Sequence, residues 1–426
     1  MTESMPNQKN NFIRQMAIIS LLFFIFGFVT WLNGTLIPFL QIACDLKETQ
    51  ALLVTFAFYM AYFILAIPSS AILKKTGFKN GMALGLFIMA VGSLIFIPAA
   101  QQRAFGLFLT GLFVQGAGLA LLQTASNPYA AIIGPMESAA QRISILGICN
   151  KIAGAISPLI LSAIVLKNAT AIEDKIKTAV SEADKTILLD ELASKVIMPY
   201  IIMAVVLVIL AFLIKKSSLP EIDTDKEEVV EGSTTAKTSV FSHPHLVLGV
   251  ICLFLYVGVE VMAGDVIGNY GRAMGMSLDT TKYFTTFTLI SMLLGYVIGI
   301  FTIPKYISAQ TSLKLAAILG IVFTLGAFFT EGYTAVTFIA LLGLANAPMW
   351  PAIFPLAINK LGKFTKIGSA LLIMGIAGGA ILPQIYAQLK SHFHLANNLA
   401  FLVCMLPCYA YILYYAIAGY KAGLKK

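Results

Sequence analysis

Residues 147–158 read GICNKIAGAISP, and they lie inside an apolar run that extends from Ile143 to Leu166. A run of this length is sufficient for a membrane-spanning helix, which needs roughly 20 mostly apolar residues. The run nevertheless contains Lys151, and an ammonium at the centre of a bilayer costs about 2.5–3.5 kcal/mol even on the scales that give the lowest values. The stretch therefore predicts a membrane helix whose lysine serves a specific purpose.

The composition of the whole chain indicates an integral membrane protein. Of its 426 residues, 58% are hydrophobic and 12% are charged, and the mean hydropathy is +0.86. Water-soluble domains contain about 25% charged residues, so that class is excluded. The net charge of +9 comes from residues in the short gaps between apolar runs, which indicates membrane topology and not nucleic-acid binding. Lys and Arg are concentrated in the loops on the side of the N-terminus, which predicts cytoplasmic termini in a plasma membrane of the bacterial inner-membrane type.

Twelve segments are long and apolar enough to span a bilayer. They are 16–42, 51–73, 81–100, 104–133, 143–166, 196–214, 246–270, 283–304, 313–330, 333–358, 366–388 and 397–419. The loop 169–195 has apolar positions at helical spacing among charged residues, which predicts one or two amphipathic extracellular helices.

The spans divide into two groups of six. Segment 215–245 is polar, acidic in its middle and poor in aromatic residues, which predicts a cytoplasmic linker between residues 1–214 and 246–426. The letters GAISP at 154–158 recur as GAILP at 379–383, in the fifth and eleventh spans that a six-plus-six repeat relates. The sequence therefore predicts an all-α integral membrane protein with twelve transmembrane helices in two six-helix halves related by a pseudo-two-fold axis. This arrangement resembles the major facilitator fold, with a substrate site between the halves.

Polar residues in the fourth span are candidates for substrate binding. Gln123 and Asn127 are four residues apart and share a helix face, and Pro128 leaves a backbone carbonyl unpaired near them. These amides either bind a ligand in a polar cavity or form hydrogen bonds between helices, which are worth about 0.6–2 kcal/mol.

The second half contributes acidic, amide and aromatic candidates. Glu260 is the more deeply embedded acid of the seventh span, whereas Asp265 lies near its far boundary as a gate residue or an interfacial one. Asn346 and Trp350 are four residues apart in the tenth span, and Gln384 follows a proline in the eleventh. Aromatic faces stack on sugar rings while amides and carboxylates bind their hydroxyls. A tryptophan in a span is alternatively an anchor at the membrane interface.

Lys151 and its neighbours are further candidates for the site in the first half. Asn150 precedes Lys151, and in the first span Trp31 lies close to Asn33, so both pairs are candidates for the site. The ammonium of Lys151 either extends to the cytoplasmic interface or turns into the central cavity. In the cavity it would pair with the fourth-span amides or with a carboxylate of the second half, and would hold the sugar or replace a bound cation during part of the cycle.

Four motifs are specific enough to indicate a family. They are WLNGTLIPFLQ (31–41), QTASNPYAAIIGP (123–135), FLYVGVE (254–260) and MWPAIFPLAINKLG (349–362). Together they resemble the fucose–galactose–glucose:cation symporters of the major facilitator superfamily. The resemblance implies that Asn150 belongs to the sugar site and that the fourth-span motif is matched at Thr124, Asn127 and Pro128, with Thr124 in a coupling role.

Two departures from that family concern the coupling ion. Proton-coupled fucose permeases have Asp where this chain has Gly34, and Glu where it has Gln123. Neither Gly nor Gln carries a proton, so the resemblance implies a Na⁺-coupled hexose symporter, with glucose or galactose ahead of fucose as the substrate. The sodium ion would bind near Asn33, Gln123 and Asn127.

Other functions remain open at this stage. A proton-coupled sugar symporter would use Glu260. A drug exporter would share the architecture but have a more hydrophobic cavity with fewer amides. An intramembrane enzyme would need a paired-His or Ser/His site, which the spans lack, and no GxxxxGK[ST] motif for ATP is present. We therefore expect a gradient-driven, monomeric transporter without enzymatic activity or organic cofactor, whose partners are a monosaccharide, the coupling ion and the lipid bilayer.

Overall fold

The computed structural model describes residues 5–132, 139–167, 169–179, 181–217, 219, 239–303, 305–361 and 364–424. The α-helices are α1 (Met5–Thr30), α2 (Asn33–Ala43), α3 (Glu48–Ala51), α4 (Leu53–Gln101), α5 (Phe105–Ile132), α6 (Ala139–Val165), α7 (Ala169–Lys177), α8 (Glu182–Ser194), α9 (Ile197–Lys216), α10 (Pro244–Gly264), α11 (Ile267–Ala273), α12 (Leu278–Thr281), α13 (Phe284–Thr302), α14 (Ala309–Phe329), α15 (Gly332–Asn346), α16 (Met349–Ile358), α17 (Thr365–Met374), α18 (Gly378–Ser391) and α19 (Asn397–Ile417). Short 3₁₀ helices cover Val240–Ser242, Gly375–Ala377 and Gly419–Lys421. Most of the predicted linker, at 218 and 220–238, lies outside the described residues.

Twelve helical segments in the described part are long and apolar enough to cross a membrane, which confirms the predicted number. Spans 1 to 12 are Phe12–Ala43, Glu48–Leu73, Lys75–Gln101, Phe105–Ser126, Ile145–Val165, Glu182–Lys216, Pro244–Gly264, Leu278–Thr302, Ala309–Phe329, Gly332–Ile358, Ile367–Ser391 and Asn397–Ile417. Spans 1–6 form the first half and spans 7–12 the second half. The helices predicted within 169–195 are confirmed as α7 and α8.

Spans 2 and 3 are joined by a tight reversal. Helix α4 covers both, and its helical geometry is interrupted at Gly77, where φ is 74°. This positive φ is strained for a residue with a side chain and readily adopted by glycine. The turn KKTGFK is therefore short enough to bring the two spans side by side.

Two repeat-related spans are interrupted where the sequence predicted continuous helices. Span 1 breaks between Thr30 and Asn33, and the predicted seventh span 246–270 ends as a regular helix at Gly264 and resumes at Ile267. Interrupted helices expose backbone groups that lipid cannot satisfy, so they occur where the chain is buried in protein or lines a cavity. Both breaks lie where the two halves meet.

Small residues bring the central spans into backbone contact. A Cβ placed at Gly27 of span 1 would collide with the backbone of Asn150 in span 5, and one at Gly378 would collide with the backbone of Phe254 in span 7. Spans 1 and 5 correspond to spans 7 and 11 in the repeat, so the same close approach occurs in both halves. Such packing replaces the hydrophobic force that lipid does not provide.

The outer surface carries the apolar side chains that face lipid. Along span 6 the side chains of Met198, Ile202, Val205, Ile209 and Phe212 are each more than half exposed. Their spacing of three and four residues places them on one stripe of the helix. With twelve spans, both termini lie at one membrane face, and we call the opposite one the distal face.

Candidate functional site

An ion pair at the centre of the molecule joins the two halves. The Nζ atom of Lys151 in span 5 lies 2.9 Å from Oε1 of Glu260 in span 7, and the two side chains are 9% and 12% exposed. The same ammonium lies 4.4 Å from the ring centroid of Trp31 in span 1. The lysine therefore pairs with a carboxylate of the second half, one of the two arrangements expected from the sequence, and does not extend to the membrane surface.

Trp31 fills the break in span 1. Its side chain is 3% exposed, and it is packed between Gly154 of span 5 and Gly264 of span 7, where an added Cβ would collide with the ring. A tryptophan that anchors a helix at the membrane interface would lie at the lipid headgroups. Trp31 instead packs where the halves meet, beside the ion pair.

A chain of aromatic side chains begins at the Glu260 carboxylate. Tyr256 lies one helical turn before Glu260 and close to it, and its ring centroid is 6.5 Å from that of Trp350. Trp350 is half-buried and stacks on Phe354, with a centroid distance of 6.0 Å. The structure thus brings together two candidates, Glu260 and Trp350, in a form that can bind both a hydroxyl and the apolar face of a sugar ring.

The first-half amides take part in contacts between spans. Nε2 of Gln123 donates to the hydroxyl of Tyr62 at 3.0 Å, and Nδ2 of Asn150 donates to the carbonyl of Phe23 at 3.3 Å. Both amide side chains are half-buried. The Thr124 hydroxyl donates to a carbonyl of its own helix at 2.7 Å. Gln123 and Asn150 combine a structural bond with partial exposure, as expected of residues that line a cavity.

Three other candidate amides have buried polar atoms. Asn346 is fully buried and accepts a hydrogen bond of 2.8 Å from Tyr409, which ties span 10 to span 12. Nε2 of Gln384 and both polar atoms of Asn33 are buried without a protein partner. The side chain of Asn127 lies outside the described residues.

Asp265 lies at the break in span 7. It is fully buried, and its Oδ2 accepts a hydrogen bond of 3.2 Å from the hydroxyl of Tyr59 in span 2. Its Oδ1 has no partner. Asp265 therefore contacts the first half directly and is buried, which is the arrangement expected of a gate residue and not of an interfacial one.

Two further ion pairs join the halves at the distal face. Lys390 lies 2.7 Å from Glu48, and Arg272 forms two hydrogen bonds with Glu173, at 2.8 and 3.1 Å. Next to the second pair, Thr170 and Asp279 exchange hydrogen bonds between backbone amides and side chains. We call these two ion pairs the distal latch. They hold the halves together at that face.

Three tyrosines also belong to the site, although they were not predicted from the sequence. Tyr59, Tyr62 and Tyr256 contact Asp265, Gln123 and Glu260, respectively. Tyrosines inside apolar runs were a usable signal, because a buried hydroxyl requires a hydrogen-bond partner. Tyr59 and Tyr62 are three residues apart and share one face of span 2.

Comparison with known proteins identifies the family. Residues 19–383 match the family model of the Major Facilitator Superfamily. The chain is 33% identical to a glucose/galactose transporter of Brucella abortus biovar 1 (strain 9-941), over 98% of this chain and 96% of that protein. It is 29% identical to the L-fucose-proton symporter of Escherichia coli (strain K12), over 89% of this chain and 87% of that one.

The fold also matches a solved structure of this class. The structure superimposes on the crystal structure of the transporter FucP in the outward conformation with a TM-score of 0.71. The match covers 95% of this chain and 98% of the FucP chain, and the two sequences are 27% identical. The fold, the matched family model and the full-length similarity agree with the resemblance found in the sequence motifs. The chain belongs to the Major Facilitator Superfamily, in the group that contains glucose/galactose transporters and L-fucose–proton symporters.

Proposed function

We propose that this protein is a secondary active transporter that takes up a hexose of the glucose or galactose type together with Na⁺, by alternating access. The observation that carries the proposal is the Lys151–Glu260 pair, which joins the halves and is covered by the Trp31 ring. A hexose offers several hydroxyls and one apolar ring face, and these side chains match both. The 33% identity to a glucose/galactose transporter over nearly the full chain supports the same substrate class.

The ion pair suits a sugar as the ligand because it is already neutral overall. A hydroxyl can donate to Glu260 and accept from Lys151, so sugar binding loosens the direct bond between the halves without leaving either charge without a partner. Trp350, whose ring centroid lies 6.5 Å from that of Tyr256, provides the apolar face. Gln123 and Asn150 can donate or accept further hydrogen bonds from the opposite half.

Na⁺ is the proposed coupling ion because the family resemblance implies acids in proton-coupled fucose permeases at the positions of Gly34 and Gln123, neither of which can carry a proton. Proton coupling is the second candidate, supported by the similarity to an L-fucose-proton symporter. In the version in which Glu260 carries the proton, its direct contact with Lys151 at 2.9 Å would have to break during the cycle. In the cell we place the protein in the plasma membrane as a monomer, with both termini cytoplasmic.

The test is uptake into proteoliposomes of purified protein. Radiolabelled glucose, galactose and L-fucose are compared under an inward Na⁺ gradient, an inward proton gradient or no gradient. We expect accumulation of glucose or galactose with the Na⁺ gradient that persists when a proton ionophore is added. Accumulation that follows only the pH gradient would establish the second candidate, and absence of uptake of all three sugars would refute the substrate class.

A further inference from the structure

Asp265 is a buried acid that the proposed sugar site does not use. The carboxyl group is fully buried, with Oδ2 bonded to Tyr59 and Oδ1 without a protein partner. It lies where α10 ends, so its position is set by the break in span 7. A carboxyl group with one free oxygen in such a position requires a physical explanation, because isolated buried charges are strongly disfavoured.

The groups facing Asp265 do not neutralise it. Those close to it are the Tyr59 hydroxyl of span 2, the uncharged backbone amide of Gly34 in span 1, Glu260 of its own helix and Lys151 of span 5. Lys151 is already bonded to Glu260. From span 8, the hydroxyls of Thr285 and Thr288 donate to the carbonyls of Gly264 and Ala263, not to the carboxyl group.

The charges around the centre therefore do not balance. Lys151 and Glu260 cancel one another, which leaves the negative charge of Asp265 without a counterion among these groups. Burying an unpaired carboxylate is strongly unfavourable, whereas the same group becomes neutral by binding one positive charge. A cation bound at this carboxyl group would remove the unpaired charge whenever the halves are closed around it.

We propose that Asp265 is the residue that binds the coupling cation, a proton or Na⁺, and that it holds this cation while the distal face is closed. A proton would form an O–H bond at the free Oδ1, whereas Na⁺ would be held by ionic contact with the same oxygen. This inference rests on the proposed symport function and assigns a place to its coupling ion. It separates the ion site on Asp265 from the sugar site around Glu260.

The contact with Tyr59 explains how ion binding would be linked to the movement of the halves. Tyr59 belongs to the first half and Asp265 to the second, so opening the distal face separates them and exposes the carboxylate to water. A hydrated carboxylate tolerates its charge, but the same group must bind a cation before it can be buried again. Closure therefore requires the ion, which is the condition for coupled transport.

The experiment uses full-length protein in proteoliposomes and the sugar that the wild type transports. Asp265→Asn keeps the size and the hydrogen bond from Tyr59 but removes the titratable group. We expect it to retain sugar exchange in counterflow and to lose accumulation, so that internal and external sugar concentrations become equal under any gradient. The matched control is Asp190→Asn, which removes a half-exposed acid whose partner Arg103 lies in the same half, and it should accumulate sugar as the wild type does.

Two ion conditions distinguish the sources of the cation. If the wild-type affinity for sugar depends on Na⁺ at constant pH, and this dependence is lost in Asp265→Asn, the cation is Na⁺. If the affinity depends on pH without Na⁺ and that dependence is lost, it is a proton. Gradient-driven accumulation by Asp265→Asn would overturn the inference while leaving the symport function intact.

A second variant covers the case in which Asp265→Asn does not fold. Tyr59→Phe removes only the hydroxyl that donates to Asp265, so the carboxylate loses this hydrogen bond and its cation affinity should change. We expect the midpoint of the ion dependence to shift by threefold or more, which is about 0.65 kcal/mol, with accumulation retained. An unchanged midpoint would overturn the inference. A wild type without sugar uptake would instead refute the proposed function.

Discussion

Lys151 is a buried cation whose two partners come from different halves of the molecule. Glu260 neutralises it, and the Trp31 ring covers it. Removing one member of a buried ion pair costs about 3–5 kcal/mol, mainly because the other charge remains without a partner. The intact pair, by contrast, contributes little net stability, so we expect its main role to be in specificity and transport.

The first prediction follows from the cost of leaving one charge of this pair without a partner. Lys151→Met keeps the long side chain and Glu260→Gln keeps its shape, but each should lower the thermal unfolding temperature of the detergent-solubilised protein and reduce uptake strongly. The double variant should regain much of the lost stability, because no unpaired charge remains, but not the transport. Wild-type uptake in Lys151→Met would show that the lysine only supports the fold.

The half-buried amides of the first half give a second prediction at the residue scale. Gln123→Ala and Asn150→Ala should each weaken sugar binding by about 0.5–1.5 kcal/mol, because each loses one net hydrogen bond to the ligand. Binding is measured by isothermal titration of the purified protein. Thr110→Ala is the control, because its hydroxyl bonds only to a carbonyl of its own helix and it is exposed. Unchanged affinity in both amide variants would assign these residues to packing between spans.

At the scale of elements, the backbone contact between spans 7 and 11 is a feature that a single methyl group would disturb. A Cβ at Gly378 would collide with the carbonyl of Phe254, and backbone atoms cannot move aside as a side chain can. Gly378→Ala should therefore destabilise the protein by about 1–3 kcal/mol, as overpacking does, despite the better helix propensity of alanine. The matched control is Gly299→Ala in span 8, where a Cβ would meet nothing within 4 Å. Equal unfolding temperatures for the two variants would contradict this close packing.

At the scale of the whole molecule, the distal latch holds the halves together by charges that can be removed without touching the sugar site. Glu48 and Glu173 belong to the first half, and their partners Lys390 and Arg272 belong to the second. Exposed ion pairs contribute about 0.2–1 kcal/mol each, and these are only partly exposed. Two such pairs together can shift a two-state equilibrium by about tenfold.

The corresponding prediction concerns the distance between the halves. The double variant Glu48→Gln, Glu173→Gln should populate a form that is more open at the distal face. Spin labels at the exposed residues Gln102 and Glu331, in a cysteine-free background, measure that distance. The control is Asp45→Asn, which breaks an ion pair with Lys185 inside the first half. An identical distance distribution in the double variant and the control would show that the latch does not set the resting state.

The sequence alone determined the number of spans, the helical class and the division into two halves. These properties depend on the hydrophobicity and length of continuous segments, which can be read from consecutive residues. The repeat of GAISP as GAILP identified spans 5 and 11, and the single lysine in an apolar run marked the centre of the molecule. The breaks in spans 1 and 7 were not predicted, because they arise where Trp31 packs between two glycines of other spans.

Only the tertiary structure decided which polar groups become partners. Lys151 and Glu260 are 109 positions apart, and Tyr59 and Asp265 are 206 apart. Several carboxylates and amides were available to each of them, and the choice depends on how the spans are arranged around the centre and on which faces they turn inward. Hydrophobic periodicity cannot supply this information, because it describes one helix at a time, whereas an ion pair requires the relative position and rotation of two.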